Sequence, residues 1–245
     1  MQVMVGQATF AEKNLSRTAA TAFIESHLRS TLLGSQGDEA LRSMCEGAQL
    51  LRYDMPSLLC AAGEPPSHLY YVVEGTVELL ARRASGEEFV ISYVGAAGWA
   101  TWLNCFMAKG ADYDFYSSAG TTLIAIAVSQ VRRFCDDYPQ VYLQIIQHIG
   151  RRMRLALEWT AQSAMAPPVQ RMAQLLHLMA MEQQPKANCT TVRLTQARLA
   201  SMVRCSRQTA NALIAELQSH GLVVSAYGRY ELPDLQQLAL FAAQH

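Results

Sequence analysis

The chain of 245 residues has no run of 18 or more apolar residues, so the sequence predicts no membrane-spanning helix. Residues 1–20 lack a charged start followed by a sustained apolar stretch, so no signal peptide is expected either. Apolar residues nevertheless make up 51% of the chain, which is enough to build a buried core. We therefore expect a cytoplasmic protein with one large or two ordinary domains and no membrane partner.

Close groups of metal-ligating or catalytic residues are also missing from the sequence. None of the six cysteines lies within four residues of another, so neither a zinc site nor a clustered iron–sulfur site is indicated. We expect reduced thiols that are mostly buried as small hydrophobic side chains, with a redox role for one of them as an alternative. No nucleophile–base or carboxylate pair stands out, which argues against an enzyme.

The net charge is zero, which by itself argues against a nucleic-acid-binding protein. The charges are unevenly distributed, however. Residues 186–230 hold six basic side chains and one acid, Glu216, whereas the remainder of the chain holds 14 basic and 19 acidic residues. A basic C-terminal segment on an acidic body predicts a localised phosphate-binding surface.

The segment from Leu194 to Val224 has the pattern of two short helices joined by a tight turn. Thr195 and Ser206 are suitable N-caps because a hydroxyl oxygen can accept an otherwise unpaired backbone N–H. Gly221 is suited to end the second helix. The side chains expected to be buried are Leu199, Met202 and Val203 in the first helix, and Ala210, Leu213, Ile214 and Leu217 in the second. This pattern predicts a helix–turn–helix whose second helix enters the major groove of double-stranded DNA.

The polar face of the predicted second helix carries Arg207, Gln208 and Asn211 near its N-terminus, where such motifs contact base edges. Residues 222–232 are predicted to form a small β-hairpin, or wing, in which Arg229 is placed for a phosphate contact. The alternative is a generic helical hairpin inside a larger domain, which the caps and the basic charge disfavour.

Residues 50–128 consist of short apolar or alternating segments separated by glycine turns. A hairpin turn is predicted at Ser85-Gly86, followed by a strand over residues 88–94. The side chains expected on one face of that strand are Phe89, Ile91 and Tyr93. Many short strands with regular turns indicate an antiparallel barrel or roll.

A long helix is predicted from about Asp136 to Ala164, after a shorter helix capped by Ser129. Residues with spacings of 3, 4, 3 and 4 form a heptad seam along it. These residues are Ile146, Ile149, Met153, Ala156 and Thr160. The seam predicts a dimer interface, and the alternative is a helix that packs on the roll of its own subunit.

Several short motifs carry a resemblance to a known family. They are Gly63-Glu64-Pro65, Leu69–Val77, Ile91–Val94, Gly150–Met153 and Cys205–Thr209. With the order of roll, long helix, helix–turn–helix and wing, residues 50–240 resemble the CRP/FNR superfamily of bacterial transcription regulators. The resemblance implies an α+β fold with an N-terminal helical segment (1–48), an antiparallel β-roll of the cyclic-nucleotide-binding type (49–137), a dimerisation helix (138–166) and a winged helix–turn–helix domain (167–245).

The resemblance also implies a homodimer on an inverted-repeat operator, with RNA polymerase as a further partner. Arg207 matches the family's base-reading arginine, for which guanine O6 and N7 are the natural partners. Gln208 lies where the family often has glutamate, and the glutamine side chain favours adenine. Ala212 lies where several members carry another base-reading arginine. Thr195 and Ser206 would bind phosphates or cap helices. Other expected DNA contacts are Arg204, Thr209, Asn211 and Arg229.

The expected effector segment departs from the family. Members that bind a cyclic nucleotide hold its phosphate with an arginine, because a buried phosphate requires a cation and backbone donors. In residues 95–122 the sole cation is Lys109, beside Asp112 and Asp114. The long helix offers Ala156 and Leu157 where polar residues would touch the base. We therefore expect that cyclic AMP is not bound in the usual way.

Aromatic residues replace the expected polar ones. Six of the chain's 20 aromatic residues fall within residues 99–116. A pocket for an apolar or aromatic small-molecule effector would be lined by Trp99, Trp102, Tyr113, Phe115, Tyr116, Ala156 and Leu157. The alternatives are a roll filled by its own side chains and a haem pocket, although no histidine in this segment is an evident ligand. No cofactor or metal is otherwise expected.

The sequence thus predicts a dimeric, sequence-specific transcription regulator with an effector other than cyclic AMP, or with none. One alternative is a haem- or thiol-based redox or gas sensor of the same fold. Another is a signalling scaffold that no longer binds DNA, which the basic segment and the intact recognition helix disfavour.

Overall fold

The computed structural model describes residues 9–10, 17–82, 88–107, 109–182 and 187–243, and the predicted turn at Ser85-Gly86 lies outside them. The chain divides into two compact units. The first comprises residues 1–81 and 92–150, and the second comprises residues 82–91 and 151–245. No helix among the described residues is long and apolar enough to cross a membrane.

Two antiparallel sheets form the roll. Their strands are β1 (Thr9–Phe10), β2 (Gln49–Tyr53), β3 (Ser57–Cys60), β4 (His68–Glu74), β5 (Val77–Arg82), β6 (Glu88–Val94), β7 (Trp99–Ala100), β8 (Asp114–Ser117) and β9 (Thr121–Ala127). The strand order is β1-β2-β9-β4-β7 in one sheet and β3-β8-β5-β6 in the other. The predicted antiparallel roll within an α+β fold is confirmed.

The interior of the roll is filled by apolar side chains from both sheets. Val72, Leu123 and Ala125 from the first sheet share a buried cluster with Val77 and Phe115 from the second. The tight turn between β4 and β5 depends on Gly75, whose φ is 83°. A Cβ atom there would lie 2.7 Å from the Cα of Thr121, so any other residue would push the turn away from β9.

The predicted face of β6 is only partly right. Tyr93 is buried as expected, but Ile91 is 47% exposed and Val90 is buried in its place. β6 is an edge strand of its sheet, and burial along it does not alternate. Alternation of apolar residues therefore predicted the strand but not which residues face the core.

The other face of the first sheet is covered by helices. Successive strand residues point to opposite faces, so Leu69, Tyr71 and Ile124 pack into a second buried cluster, away from the roll interior. The helices of this unit are α1 (Arg17–Leu28), α2 (Asp38–Cys45), α3 (Trp102–Phe106), α4 (Val128–Asp137) and the start of α5 (Gln140–Met165), whose residues from 151 onward belong to the second unit. Val141 and Ile145 anchor the start of α5 in this cluster.

Two predictions about the helix boundaries are wrong. Helix α4 begins at Val128 and is preceded by Ala127, with no side-chain cap, so Ser129 does not start it. Asp136 and Asp137 end α4 instead of opening the long helix. The Tyr142 hydroxyl donates a 2.8 Å hydrogen bond to the Asp136 carboxylate, which links the end of α4 to the first turns of α5.

The second unit is a bundle of helices with a small sheet. After the end of α5, its elements are α6 (Pro168–Glu182), β10 (Thr190–Arg193), α7 (Gln196–Val203), α8 (Arg207–Ser219), β11 (Val224–Ala226), β12 (Arg229–Leu232) and α9 (Leu235–Ala242). Helix α6 packs against both α8 and α9. The strand β10, which the sequence did not predict, pairs with β12 to give the order β10-β12-β11. The predicted winged helix–turn–helix is present.

Candidate nucleic-acid interface

The two helices of the predicted DNA-binding motif are capped by the predicted residues. The Thr195 hydroxyl accepts from the Arg198 N–H at 3.3 Å, and the Ser206 hydroxyl accepts from the Thr209 N–H at 3.0 Å. Between them, Arg204 ends α7 in the left-handed conformation, with φ of 58° and ψ of 48°. A cap at each helix start and a left-handed residue at the turn fix the angle between α7 and α8.

Helix α8 separates an apolar face from a polar one. The four predicted apolar side chains, Ala210, Leu213, Ile214 and Leu217, are buried. The side chains on the opposite face are exposed, and they are Arg207, Gln208, Asn211 and Ala212. In α7, Leu199 and Val203 are buried and Met202 is half-buried. The predicted base-reading residues therefore share one exposed face beginning at the N-terminus of α8.

The wing is tied to this helix. The Ser225 hydroxyl donates to the Gln218 side-chain oxygen at 3.1 Å. Arg229, predicted to contact phosphate, is half-exposed and pairs with Glu231 at 3.4 Å. An exposed ion pair of this kind stabilises little, so the arginine can exchange that partner for a phosphate at small cost.

The predicted seam on α5 needs a correction. Ile149 is half-buried and packs against the core of the first unit, so it does not face outward. The large apolar side chains exposed on α5 are Leu143 (60%), Ile146 (65%), Met153 (62%) and Leu157 (59%). Ala156 and Thr160 are also exposed. The exposed stripe 143, 146, 150, 153, 157 keeps the spacing 3, 4, 3, 4 and shares Ile146 and Met153 with the predicted seam.

The residues predicted to line one effector pocket do not come together in the first unit. Trp99 and Trp102 belong to the buried cluster beneath the helices, whereas Phe115 belongs to the interior of the roll. Tyr116 is also buried, and Tyr113 is 39% exposed. The remaining two, Ala156 and Leu157, are exposed residues of the second unit.

Trp102 lies at the centre of an aromatic cluster that fills this part of the first unit. Its ring centroid is 5.3 Å from that of Trp99, 6.3 Å from that of Phe106 and 6.5 Å from that of His148. Phe106 in turn contacts the ring of Tyr142 on α5. The aromatic segment is thus used as core between α3 and α5.

Residues 95–122 contain no arginine that could hold a cyclic phosphate. Lys109 is an exposed side chain that pairs with Asp112 at 2.7 Å. Asp114 is buried and accepts from the Ala62 N–H at 2.7 Å. A phosphate placed beside Asp114 would meet a carboxylate, which opposes the usual mode of cyclic-nucleotide binding.

The buried cysteines are poorly suited to redox chemistry. Burial raises the pKa of Cys45 and of Cys105 to about 12, and that of Cys135 to about 11. The reactive thiolate is therefore scarce near neutral pH. Among the described residues, no group of three or more His, Cys, Asp or Glu side chains could hold a metal ion.

Two family models match the chain in separate regions. A cyclic nucleotide-binding domain matches residues 50–138, and a Crp-like helix-turn-helix domain matches residues 170–241. A roll of this type followed by a winged helix–turn–helix defines a class of DNA-binding transcription regulators. Within that class, the chain belongs to the CRP/FNR superfamily.

Individual relatives agree with this assignment. The cAMP-activated global transcriptional regulator CRP of Haemophilus influenzae is 25% identical over 206 residues, which cover 79% of this chain and 91% of that protein. The structure of FixK2 from Bradyrhizobium japonicum has a TM-score of 0.68 at 14% identity, covering 81% of this chain and 98% of that one. The structure of the c-di-GMP responsive global regulator CLP from Xanthomonas campestris has a TM-score of 0.56 at 21% identity. It covers 76% of this chain and 94% of that one. CRP and CLP are global regulators, and the FixK2 and CLP structures share the fold of this chain.

Proposed function

We propose that this CRP/FNR-family regulator acts as a homodimer that reads an inverted-repeat operator with two copies of α8. The observation that carries the proposal is the exposed polar face of α8, which begins at a capped N-terminus and bears Arg207, Gln208 and Asn211. A helix presented in this way is suited to the major groove, and its N-terminal residues reach base edges.

The dimer is supported by the exposed apolar stripe on α5. Leu143, Ile146, Met153 and Leu157 are each about 60% exposed in the single chain, although together they form a heptad pattern. Gly150 lies in the same register, where the missing side chain lets a second helix approach closely. Pairing α5 with its copy around a two-fold axis would bury this stripe and place two recognition helices on one duplex.

The sequence read by each helix follows from its exposed residues. The Arg207 guanidinium matches the O6 and N7 acceptors of guanine, and the Gln208 amide matches N6 and N7 of adenine. Arg204, Thr209 and Arg229 lie around this face and would contact phosphates. Because Ser206 and Thr195 already cap helices, their contribution to the complex is to orient backbone N–H groups rather than to read bases.

Selection of bound duplexes from a random pool tests this proposal. The full-length protein should enrich two copies of one half-site in inverted orientation, each with a guanine at a fixed position. Arg207→Ala should relax the preference at that guanine, whereas Arg133→Ala on α4, which removes the same charge from the roll, should leave the enriched motif unchanged. A pool in which no motif is enriched would favour a scaffold that does not bind DNA.

We also propose that the regulator responds to an effector other than cyclic AMP, or to none. The support is the pairing of Lys109 with Asp112, together with the burial of Trp99 and Trp102 in the protein's own core. The expected result is that cyclic AMP gives no binding heat in calorimetry and no change in operator affinity. Tight cyclic AMP binding would contradict this proposal, and a Soret band in the purified protein would point to haem instead.

The output of the complex is proposed to be control of RNA polymerase at a promoter that carries the operator. Transcription in vitro from such a promoter, with and without the protein, distinguishes activation from repression. An unchanged transcript level at saturating protein would contradict this part of the proposal.

A further inference from the structure

The tip of the wing carries an aromatic side chain that the fold does not use. Tyr227 is fully exposed. Ala226 pairs with Arg229 across the hairpin, so Tyr227 and Gly228 form a two-residue turn. Gly228, with φ of 69°, supplies the left-handed conformation of that turn. The turn therefore has no structural need for a large ring at its other position.

The surroundings of the tip are basic. On β12, Arg229 stands opposite Arg193 of β10 in the strand register. The Leu194 N–H donates to the Gly228 carbonyl at 3.1 Å, and the next residue, Thr195, caps α7. The tip is thus joined to the positive end of a helix and is followed directly by Arg229, an exposed arginine that pairs with Glu231 at 3.4 Å. A helix N-terminus and an arginine both attract phosphate.

The wing is held firmly relative to the recognition helix. Ser225 bonds to Gln218 of α8 at 3.1 Å, and Tyr230 and Leu232, on the strand behind the tip, are buried. The tip therefore keeps a fixed place beside α8, and we expect it to approach the sugar–phosphate backbone when α8 enters a major groove.

We propose that Tyr227 lays its ring on deoxyribose sugars at the edge of the minor groove beside each half-site, while Arg193 and Arg229 hold the adjoining phosphates. The inference rests on the proposed DNA-binding function and adds to it a contact that reads the shape of the backbone instead of the bases. A flat apolar ring matches the C–H face of a sugar, and the phenol hydroxyl can stay in water.

The test measures operator affinity of the full-length protein across a series of salt concentrations. Tyr227→Ala should weaken binding about tenfold at every salt concentration, because it removes an apolar contact and no charge. Tyr227→Phe keeps the ring and should bind within about twofold of the wild type. Arg229→Gln should instead lower the steepness of the salt dependence by about 0.9 per chain. Leu240→Ala on α9 removes another exposed apolar side chain of the same unit and should bind as the wild type does.

Hydroxyl-radical footprinting locates the contact. The wild type and Tyr227→Phe should protect sugars beside each half-site, and Tyr227→Ala should lose that protection while keeping the rest of the footprint. Equal affinity and equal footprints for Tyr227→Ala and the wild type would overturn the inference. So would a transcription defect of Tyr227→Ala with unchanged DNA affinity, which would assign the ring to a protein contact. If the wild type enriches no operator, the proposed function itself fails, which is a different result.

Discussion

The recognition helix and the aromatic segment of residues 99–116 both bury large apolar side chains, but they differ in what they leave exposed. In α8 the apolar face is buried and the polar face is left exposed. In residues 99–116 the bulky rings of Trp99, Trp102 and Phe115 are buried in two separate cores. The comparison teaches that α8 exposes a polar face in the single chain, whereas the aromatic residues expected to line an effector pocket are mostly buried among the protein's own side chains.

The largest expected effect concerns the buried aromatic side chains of residues 99–116. Trp102→Ala should lower the free energy of unfolding by about 3–5 kcal/mol, because it empties a buried aromatic cluster. Tyr113→Ala, in the same segment but exposed, should change it by no more than about 0.5 kcal/mol. Urea unfolding followed by circular dichroism measures both. A loss below about 1 kcal/mol for Trp102→Ala would mean that this ring lines an open pocket, and the contrast with α8 would disappear.

The second prediction concerns substitutions that disrupt the proposed dimer. Met153→Glu together with Leu157→Glu places charges in the exposed stripe of α5, so the variant should sediment as a monomer. Operator affinity should fall by at least about 100-fold, because the second half-site is no longer tethered. Gln147→Glu adds a charge to an exposed position outside the stripe and should leave the dimer intact. A double variant that remains dimeric would place the interface elsewhere.

The third prediction concerns base reading by Arg207 on the exposed face of α8. Arg207→Ala should cost about 1–3 kcal/mol of binding free energy on the selected operator and much less on a duplex that lacks the guanine. Fluorescence anisotropy with the two duplexes measures the difference. Arg133→Ala provides the control for the loss of one charge. An equal loss on both duplexes would show that Arg207 binds phosphate and does not read a base.

The smallest expected effect concerns the cap of α8. Ser206→Ala removes the acceptor of the Thr209 N–H and should destabilise the C-terminal unit by about 1 kcal/mol. Ser43→Ala, at an exposed position in α2, should change stability by no more than about 0.5 kcal/mol. If both variants unfold at the same urea concentration as the wild type, the cap at Ser206 contributes nothing to the stability of α8.

The features that sequence reasoning predicted well are local ones. Thr195 and Ser206 cap the helices because the residue and the N–H that it accepts lie three positions apart. The apolar face of α8 follows in the same way from the helical period. The glycine turns predicted between the strands include the one after β4, where Gly75 has a φ of 83°.

The features that it missed depend on which surface an element meets. Ile149 and Ile146 both fit a heptad pattern on α5, and only packing against the first unit decides that Ile149 turns inward. Trp102 and Phe115 fit one aromatic segment, but Trp102 lies on α3 and Phe115 on β8, and they are buried in different cores. β10 is four residues long and partly polar, so no period marks it before its pairing with β12 is known.

The measurement that tests the central claim most directly is the stoichiometry and affinity of the complex with the selected operator. Sedimentation should find two chains on one duplex that carries the inverted repeat. Moving one half-site into direct orientation should weaken binding at least about 100-fold, because the two-fold arrangement of the α8 helices no longer matches the DNA. One chain per duplex, or equal affinity for inverted and direct repeats, would contradict the account.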